Sequence, residues 1–169
     1  MLYFAYGSNL HPLRLGERLL SPEFISIATL PYHRLVFHKL GVDRSGKATL
    51  LATGSDNDMV YGAVYEMEDS HREQLDEIEG EGYLSREIVV TGGDRELSCY
   101  TYIAHPEWLD KTLKPYHWYK DLVLLGAKYL ELPEDYIASI NSLESVNDPD
   151  THRTRENRQL IDRLRDYPG

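Results

Sequence analysis

Short apolar runs alternate with turns rich in glycine, aspartate and proline over the amino-terminal part of the chain. β-branched and aromatic side chains dominate these runs, and such runs between turn signals are typical of β-strands. The pattern predicts strands at residues 2–6, 24–37, 48–53, 59–67, 83–91 and 96–104, with Pro31 interrupting the second. The last two flank Gly92-Gly93-Asp94 and are predicted to pair as a hairpin.

Helical signals are fewer and lie mostly in the second half of the chain. Apolar residues at helical spacing, together with capping residues, predict helices at residues 13–20, 71–78, 118–130 and 133–143. The segment from Val146 is polar, and it predicts either a mobile tail or a short helix lying on the surface. Because strands outnumber helices and hairpins dominate, the fold class is predicted as α+β around a closed or strongly curved sheet.

One junction between a predicted strand and a predicted helix combines residues suited to ligand binding. The strand at residues 2–6 runs directly into Gly7-Ser8-Asn9, and Leu10 opens the helical segment. A strand that breaks at a glycine before a helix leaves backbone N–H groups unpaired, and such loops bind carboxylates, phosphates or oxyanions. Ser8 or Asn9 can equally cap the helix, so an ordinary capped junction is the alternative.

Composition narrows the classes of partner. The 169 residues suffice for one domain with a full core, and 41% hydrophobic with 27% charged residues is ordinary for a globular protein. The 18 Lys and Arg residues against 28 Asp and Glu give a formal charge of −10, which argues against nucleic acid or an anionic membrane as a partner. Thirteen tyrosines against three phenylalanines are unusual, and we expect phenol groups to line a wet interior cavity.

Cysteine usage and hydropathy predict a cytoplasmic protein. Cys99 is the single cysteine, so no internal disulfide forms, and its strand-like apolar surroundings predict a buried, unreactive thiol. No apolar run reaches membrane-spanning length, and the amino terminus lacks a basic segment followed by a hydrophobic one.

Four carboxylates cluster at the carboxyl end of the predicted helix 71–78: Asp76, Glu77, Glu79 and Glu81. That end of a helix carries partial negative charge, which makes it an unfavourable place for carboxylates. We expect at least one of them to be kept there for function, with a raised pKa suited to proton transfer. Glu79 is the best candidate because the bend at Gly80 can turn it inward, and a solvated acidic face is the alternative.

Other common catalytic patterns are missing. The seven histidines form no His-x-x-x-His pair and no Cys/His cluster, so the sequence predicts no metal site. A catalytic triad using Ser8 has no identifiable partners, and the Gly-x-Ser-x-Gly and Gly-x-Gly-x-x-Gly motifs are absent. Tyr116 and Tyr119 flank Trp118 and form either pocket walls or part of the core.

Several blocks of this sequence resemble those of the γ-glutamylcyclotransferase-like family. Tyr6-Gly7-Ser8-Asn9-Leu10, after a short apolar strand, is similar to the family's signature. Further similar blocks are Val60–Tyr65, Leu75–Gly80, Tyr119-Lys120, Gly126–Lys128 and Leu132–Tyr136. The blocks occur in the family's order and cover most of residues 1–145, which we interpret as the family domain, with residues 146–169 as a polar carboxyl-terminal tail. They are closer to the γ-glutamylcyclotransferases proper than to the avirulence-induced plant relatives.

The resemblance implies an α+β fold, a small mixed β-barrel with flanking α-helices, a cavity at one end and no cofactor. It implies an intramolecular reaction in which the α-amine of a γ-glutamyl group attacks its own side-chain amide. The products are 5-oxoproline and an amino acid or amine. The implied partner is a small γ-glutamyl molecule, and the tail either packs on a second subunit in a homodimer or stays loose.

Site residues follow from matching the family's blocks to this sequence. The glutamate before the glycine is the family's acid/base, and it falls on Glu79. The loop that binds the glutamyl part in the family falls on Tyr6, Gly7, Ser8, Asn9 and Leu10. The pocket tyrosines fall on Tyr83, Tyr102 and Tyr119.

Two other functions stay open at the level of sequence. One is removal of a γ-glutamyl protecting group from a biosynthetic intermediate, including one held on an acidic carrier protein. An acidic chain then needs a local basic patch, and none is obvious before the tail. The other is a non-catalytic module that binds a small molecule, against which the presence of both the loop and Glu79 argues.

Overall fold

A closed five-stranded barrel forms the centre of the protein, for which a computed structural model describes residues 1–168. Its strands and those of a second sheet are β1 (Leu2–Ala5), β2 (Glu23–Pro31), β3 (His33–Leu40), β4 (Gly46–Ala52), β5 (Met59–Glu66), β6 (Tyr83–Gly92) and β7 (Arg95–Ala104). The barrel order is β1-β5-β2-β6-β7, and its neighbours are antiparallel except for β1 and β7, which are parallel. The predicted α+β mixed barrel and the β6–β7 hairpin are confirmed.

The chain leaves the barrel between β2 and β3, where the sequence predicted one interrupted strand at residues 24–37. Tyr32 has a φ of +62°, and its N–H donates to the Asp58 carbonyl at 2.7 Å. β3 then pairs with β4 in a separate two-stranded sheet. The interruption predicted at Pro31 is therefore confirmed, because β2 ends there. The change of sheet was not predicted, because the turn uses a non-glycine residue at positive φ, which the sequence does not signal.

Five helices flank the sheets within the described residues. They are α1 (Pro12–Gly16), α2 (Ser70–Glu79), α3 (His117–Tyr129), α4 (Glu134–Ser142) and α5 (Thr151–Arg165), and a short 3₁₀ turn covers Pro106–Trp108. The boundaries of α2, α3 and α4 lie within one or two residues of the predicted ones. α1 ends at Gly16, so the predicted helix at residues 13–20 is too long at its carboxyl end.

α5 replaces the loose tail that was one of the two sequence interpretations. The Asp150 side chain caps it by accepting from the N–H groups of His152 and Arg153, at 2.9 and 3.0 Å. Its buried residues Leu160, Ile161 and Leu164 pack on Leu122 of α3. The mobile tail is therefore wrong and the helical alternative is confirmed, while the division of the chain at residue 145 stays a prediction.

Cys99 lies in the core, where its residue is 3% exposed. Burial raises the pKa of its thiol to about 11, so the group is protonated and unreactive at neutral pH. This confirms the small buried hydrophobe that the sequence predicts. Within residues 1–168, no helix has the length and apolar character needed to cross a membrane.

Gly126 allows α3 to approach the amino-terminal loop closely. A Cβ at residue 126 would lie 2.4 Å from the Leu10 Cβ and 2.9 Å from the His11 backbone nitrogen. A glycine in a helix interior lowers helix stability by about 1 kcal/mol relative to alanine. The close contact explains why glycine occupies this position, because any side chain would displace the loop.

We expect Gly126→Ala to lower the free energy of unfolding by about 1–3 kcal/mol, the usual cost of overpacking. The matched control is Gly16→Ala, because a Cβ there meets nothing within 4 Å. That variant should be neutral or slightly stabilising. Denaturant unfolding of both variants measures the difference, and equal stability of the two would contradict the close-packing argument.

Candidate active site

The Gly7-Ser8-Asn9 loop follows β1 at one end of the barrel. The Leu10 N–H donates to the Gly7 carbonyl at 3.1 Å and closes a turn. Across residues 1–168, the N–H groups of Gly7, Ser8 and Asn9 have no protein acceptor, and all three residues line a small inner cavity. The loop therefore has free hydrogen-bond donors beside a cavity.

Glu79, the last residue of α2, also lines this inner cavity. Gly80 ends the helix with a φ of +72°, a conformation that favours glycine, and its N–H donates to the Asp76 carbonyl at 2.9 Å. The Glu79 side chain is 16% exposed. The bend thus turns the carboxylate towards the cavity rather than into bulk water.

Two side chains hold the Glu79 carboxylate from the side of the loop. Asn9 Nδ2 donates to Glu79 Oε1 at 3.1 Å, and Arg18 Nη1 donates to the same oxygen at 3.2 Å. Arg18 Nη1 also donates to Asn9 Oδ1 at 2.9 Å, which fixes the orientation of the Asn9 amide. Both contacts converge on Oε1, so Oε2 stays without a donor in the described part of the chain.

Five tyrosines from different elements complete the inner cavity: Tyr3, Tyr6, Tyr83, Tyr102 and Tyr119. Two of them form hydrogen bonds with the backbone of Ala48 in β4. Tyr83 Oη donates to the Ala48 carbonyl at 2.7 Å, and Tyr119 Oη accepts from the Ala48 N–H at 3.2 Å. Tyr102 Oη donates to Asp76 Oδ1 at 2.5 Å. Asp76 is therefore engaged, which leaves Glu79 as the carboxylate that faces the cavity.

The cavity tyrosines are kept neutral by their surroundings. Burial raises the pKa of Tyr3, Tyr6 and Tyr83 well above the usual value for a phenol, and the nearby Glu79 carboxylate acts in the same direction. Burial and the hydrogen bond to Asp76 likewise raise the pKa of Tyr102. These groups therefore act as neutral hydrogen-bonding walls at physiological pH.

A second, outer cavity of about 450 Å³ adjoins the inner one and shares Ser8, Glu79, Tyr83 and Tyr119 with it. Four basic side chains line it: Arg14, Arg18, Lys39 and Lys47. Burial, and the neighbouring Arg18, lower the pKa of Arg14 to about 10, so the group stays cationic at neutral pH. The basic patch that the sequence did not reveal is therefore assembled inside this cavity.

The structure brings all but one of the predicted site residues to the inner cavity. The exception is Leu10, which is fully buried and lines neither cavity. Its N–H is bonded to Gly7, and its carbonyl accepts from Tyr65 Oη at 2.6 Å. Because both of its backbone polar groups are already paired, Leu10 differs from the other loop residues, and its ligand-binding role stays a prediction.

Sequence reasoning missed three residues of the site. Tyr3 receives a hydrogen bond from Asn9 Nδ2 at 3.1 Å, and Arg18 holds Glu79. Lys39 reaches the outer cavity from the end of β3, beyond the strand predicted at residues 24–37. Only Arg18 left a signal, because its four-residue spacing from Arg14 puts both on one face of the predicted helix 13–20, although α1 itself ends at Gly16.

The structure distinguishes between the alternatives for the acidic residues near Gly80 and for Ser8. Glu81 is exposed, so it belongs to the solvated acidic face, whereas Glu77 lines the outer cavity. No histidine lines either cavity among residues 1–168. Ser8 therefore has no imidazole partner there, and its place in the loop points to hydrogen bonding rather than nucleophilic attack.

A barrel whose end opens into a tyrosine-lined cavity, with one carboxylate facing free backbone amides, is characteristic of an enzyme for small molecules. The family model described as "AIG2-like family" matches residues 59–140. The chain is 35% identical over 153 residues to the gamma-glutamylcyclotransferase of Bos taurus, covering 85% of this chain and 78% of that protein. The human gamma-glutamylcyclotransferase is 33% identical over 152 residues, with the same coverage.

A solved structure agrees with these sequence matches. A protein titled "Gamma-glutamyl cyclotransferase" superposes with a TM-score of 0.84 at 29% identity, covering 96% of this chain and 98% of the other. The chain therefore belongs to the γ-glutamylcyclotransferase family.

The buried tyrosines make stability depend on alkaline pH. We expect the free energy of unfolding to fall as the pH rises above about 10, where the phenols of the unfolded chain ionise. The folded state keeps the protons of Tyr3, Tyr6 and Tyr83 there, so the unfolded state binds fewer protons and gains stability relative to the folded one.

Absorbance titration of phenolate in folded and denatured protein, combined with unfolding at a series of pH values, measures this effect. A group of phenols should ionise in the folded protein only as it unfolds. If all thirteen tyrosines of the folded protein titrated together near the ordinary phenol pKa of about 10, the burial of the cavity tyrosines would be contradicted.

Proposed function

We propose that this chain is a γ-glutamylcyclotransferase that converts a small γ-glutamyl compound to 5-oxoproline and releases an amino acid or amine. The observation that carries the proposal is the Glu79 carboxylate, oriented by Asn9 and Arg18 and facing the Gly7-Ser8-Asn9 amides across a tyrosine-lined cavity. The reaction needs a proton carrier and an anion-stabilising group on opposite sides of one small molecule, and this arrangement supplies both.

Glu79 moves the proton that the reaction requires. An α-ammonium cannot attack a carbonyl, so Glu79 Oε2 takes one proton from it while Oε1 stays bonded to Asn9 and Arg18. The freed amine attacks the side-chain amide carbon, and the new C–N bond closes the ring. The oxyanion collapses and the bond to the leaving nitrogen breaks as that nitrogen receives the proton from Glu79. The ring nitrogen then gives its second proton to Glu79, which passes it to the released amine, so the carboxylate is restored.

The loop amides stabilise negative charge during ring closure. The carbonyl oxygen becomes an oxyanion when the amine adds, and free N–H groups at Gly7, Ser8 and Asn9 are suitable donors for it or for the substrate α-carboxylate. Loss of one donor to an oxyanion costs about 3–4 kcal/mol of transition-state stabilisation in related chemistry. Because nucleophile and electrophile belong to one molecule, the tyrosine walls chiefly hold it in the ring-closing shape.

The alternatives have less support. A non-catalytic binding module has no need for a carboxylate whose second oxygen is left free. The basic residues lie in the wall of the outer cavity, a position suited to a small anion rather than to the surface of an acidic carrier protein. Homodimer formation and a cytoplasmic location stay predictions.

Incubation with γ-glutamyl-alanine tests the proposed reaction directly. We expect stoichiometric 5-oxoproline and alanine, with no added metal or cofactor, detected by chromatography or mass spectrometry. Absence of turnover with γ-glutamyl amino acids, γ-glutamyl amines and glutathione would overturn the proposed function.

Glu79→Gln tests the role of the carboxylate. The amide oxygen of glutamine still accepts from Asn9 and Arg18, so folding and ligand binding should persist. Without a proton carrier, kcat should fall by about 10²- to 10⁴-fold or more. Steady-state kinetics, together with calorimetric binding of γ-glutamyl-alanine to the variant, measures both effects.

The matched control is Glu81→Gln, which makes the same chemical change at an exposed carboxylate two residues away. It should keep activity within about twofold of wild type, since surface substitutions away from a site have small effects. Normal turnover by Glu79→Gln would mean that another group carries the proton.

A further inference from the structure

The Lys39 ammonium lies in the wall of the outer cavity without a direct ion pair. The residue is 5% exposed, and its Nζ lies 4.6 Å from the centre of the Tyr83 ring and 5.1 Å from that of Trp108. Within residues 1–168, no carboxylate comes within 4 Å of Nζ, and Nζ donates no hydrogen bond. Aromatic faces stabilise a cation only in part, because they replace few of its hydrogen bonds to water.

The other cations of the outer cavity have partners on the protein. Lys47 Nζ contacts Asp43 Oδ2 at 2.6 Å and donates to Ser45 Oγ at 2.9 Å. Arg18 is bonded to Glu79, and Arg14 lies 3.7 Å from Glu17. Of these four cations, Lys39 is the one with neither an ion pair within 4 Å nor a side-chain hydrogen bond in the described part of the chain.

Burial lowers the pKa of Lys39, and the Glu79 and Asp43 carboxylates offset this only in part, because neither forms an ion pair with it. Such a group is stabilised when a ligand brings an anion to it. The cavity is open to a small molecule, so the expected ligand carries one negative group that reaches the β3 side of the outer cavity.

We propose that Lys39 binds the carboxylate of the amino acid that leaves in the reaction, and so makes the enzyme prefer γ-glutamyl amino acids to γ-glutamyl amines. This inference rests on the proposed function. Ring closure takes place beside Glu79 and the loop amides, where the inner cavity of about 20 Å³ adjoins the outer one. Lys39 lines only the outer cavity, so the part of the substrate that reaches it is the leaving group, and one unpaired cation matches its one carboxylate.

The substrate pair that tests this is γ-glutamyl-alanine and γ-glutamyl-ethylamine, which differ only in the carboxylate of the leaving group. Wild type should favour γ-glutamyl-alanine by about 10- to 100-fold in kcat/KM, the range expected for a hydrogen bond between charged groups. Lys39→Met keeps the length of the apolar stem and removes the charge. It should lose most of that preference, because kcat/KM should fall more for γ-glutamyl-alanine than for γ-glutamyl-ethylamine.

Lys128→Met is the matched control, because Lys128 is exposed and lines neither cavity. It should keep the wild-type preference. Lys39→Gln serves as a second variant should Lys39→Met fold poorly, and turnover of γ-glutamyl-ethylamine by either variant reports an intact ring-closing site.

Each other result overturns the inference in a distinguishable way. An equal fall for both substrates would place Lys39 at the glutamyl end, and an unchanged preference in the variants would leave it no binding role. Equal kcat/KM values of wild type for the two substrates would contradict the proposal without any variant. If wild type converted neither substrate, the proposed function itself would fail.

Discussion

Two hydrogen bonds to one carboxylate oxygen hold the site together. Asn9 and Arg18 donate to Glu79 Oε1, and the Asn9 contact joins positions seventy residues apart. Because Arg18 also donates to Asn9, no one of the three side chains can rotate without breaking two contacts. The network involves charged groups, whose hydrogen bonds are stronger than neutral ones, and it leaves Oε2 for chemistry. These hydrogen bonds fix the position of the Glu79 carboxylate relative to the loop, which neither α2 nor the loop could do alone.

Barrel closure makes this meeting possible and gives it an apolar setting. The parallel pairing of β1 with β7 places Tyr3 opposite Tyr100, so the phenols of both strands converge on one end of the barrel. β4 lies over that end, where the backbone of Ala48 is hydrogen-bonded to the side chains of Tyr83 and Tyr119. Burial keeps the phenols neutral, and the lower polarity strengthens each hydrogen bond that an oxyanion would receive.

The sequence predicted those parts of the fold and the site that depend on interactions between residues close together in the chain. Glycine turns and β-branched runs located most strands, and the strand–loop–helix junction with Glu79 before Gly80 located the core of the site. The errors share one cause, which is dependence on distant contacts. Tyr32 takes a positive φ because the chain must change sheets, and the Leu10 carbonyl is already bonded by Tyr65, 55 residues away. The sequence left the structure of the segment that forms α5 ambiguous, because its few apolar residues stabilise a helix only when they pack against α3.

The cations of the outer cavity show why net charge is a poor guide to a small-molecule partner. The chain carries a formal charge of −10, yet Arg14, Arg18, Lys39 and Lys47 meet around one cavity. Exposed charges are screened beyond about 8–10 Å at physiological ionic strength, whereas charges in a cavity wall act on a bound molecule directly. Acidic surface residues therefore discourage nucleic acid while the cavity still attracts a carboxylate. No local pattern predicts this meeting, because Lys39 and Lys47 lie on β3 and β4, whereas Arg14 and Arg18 lie in and just after α1.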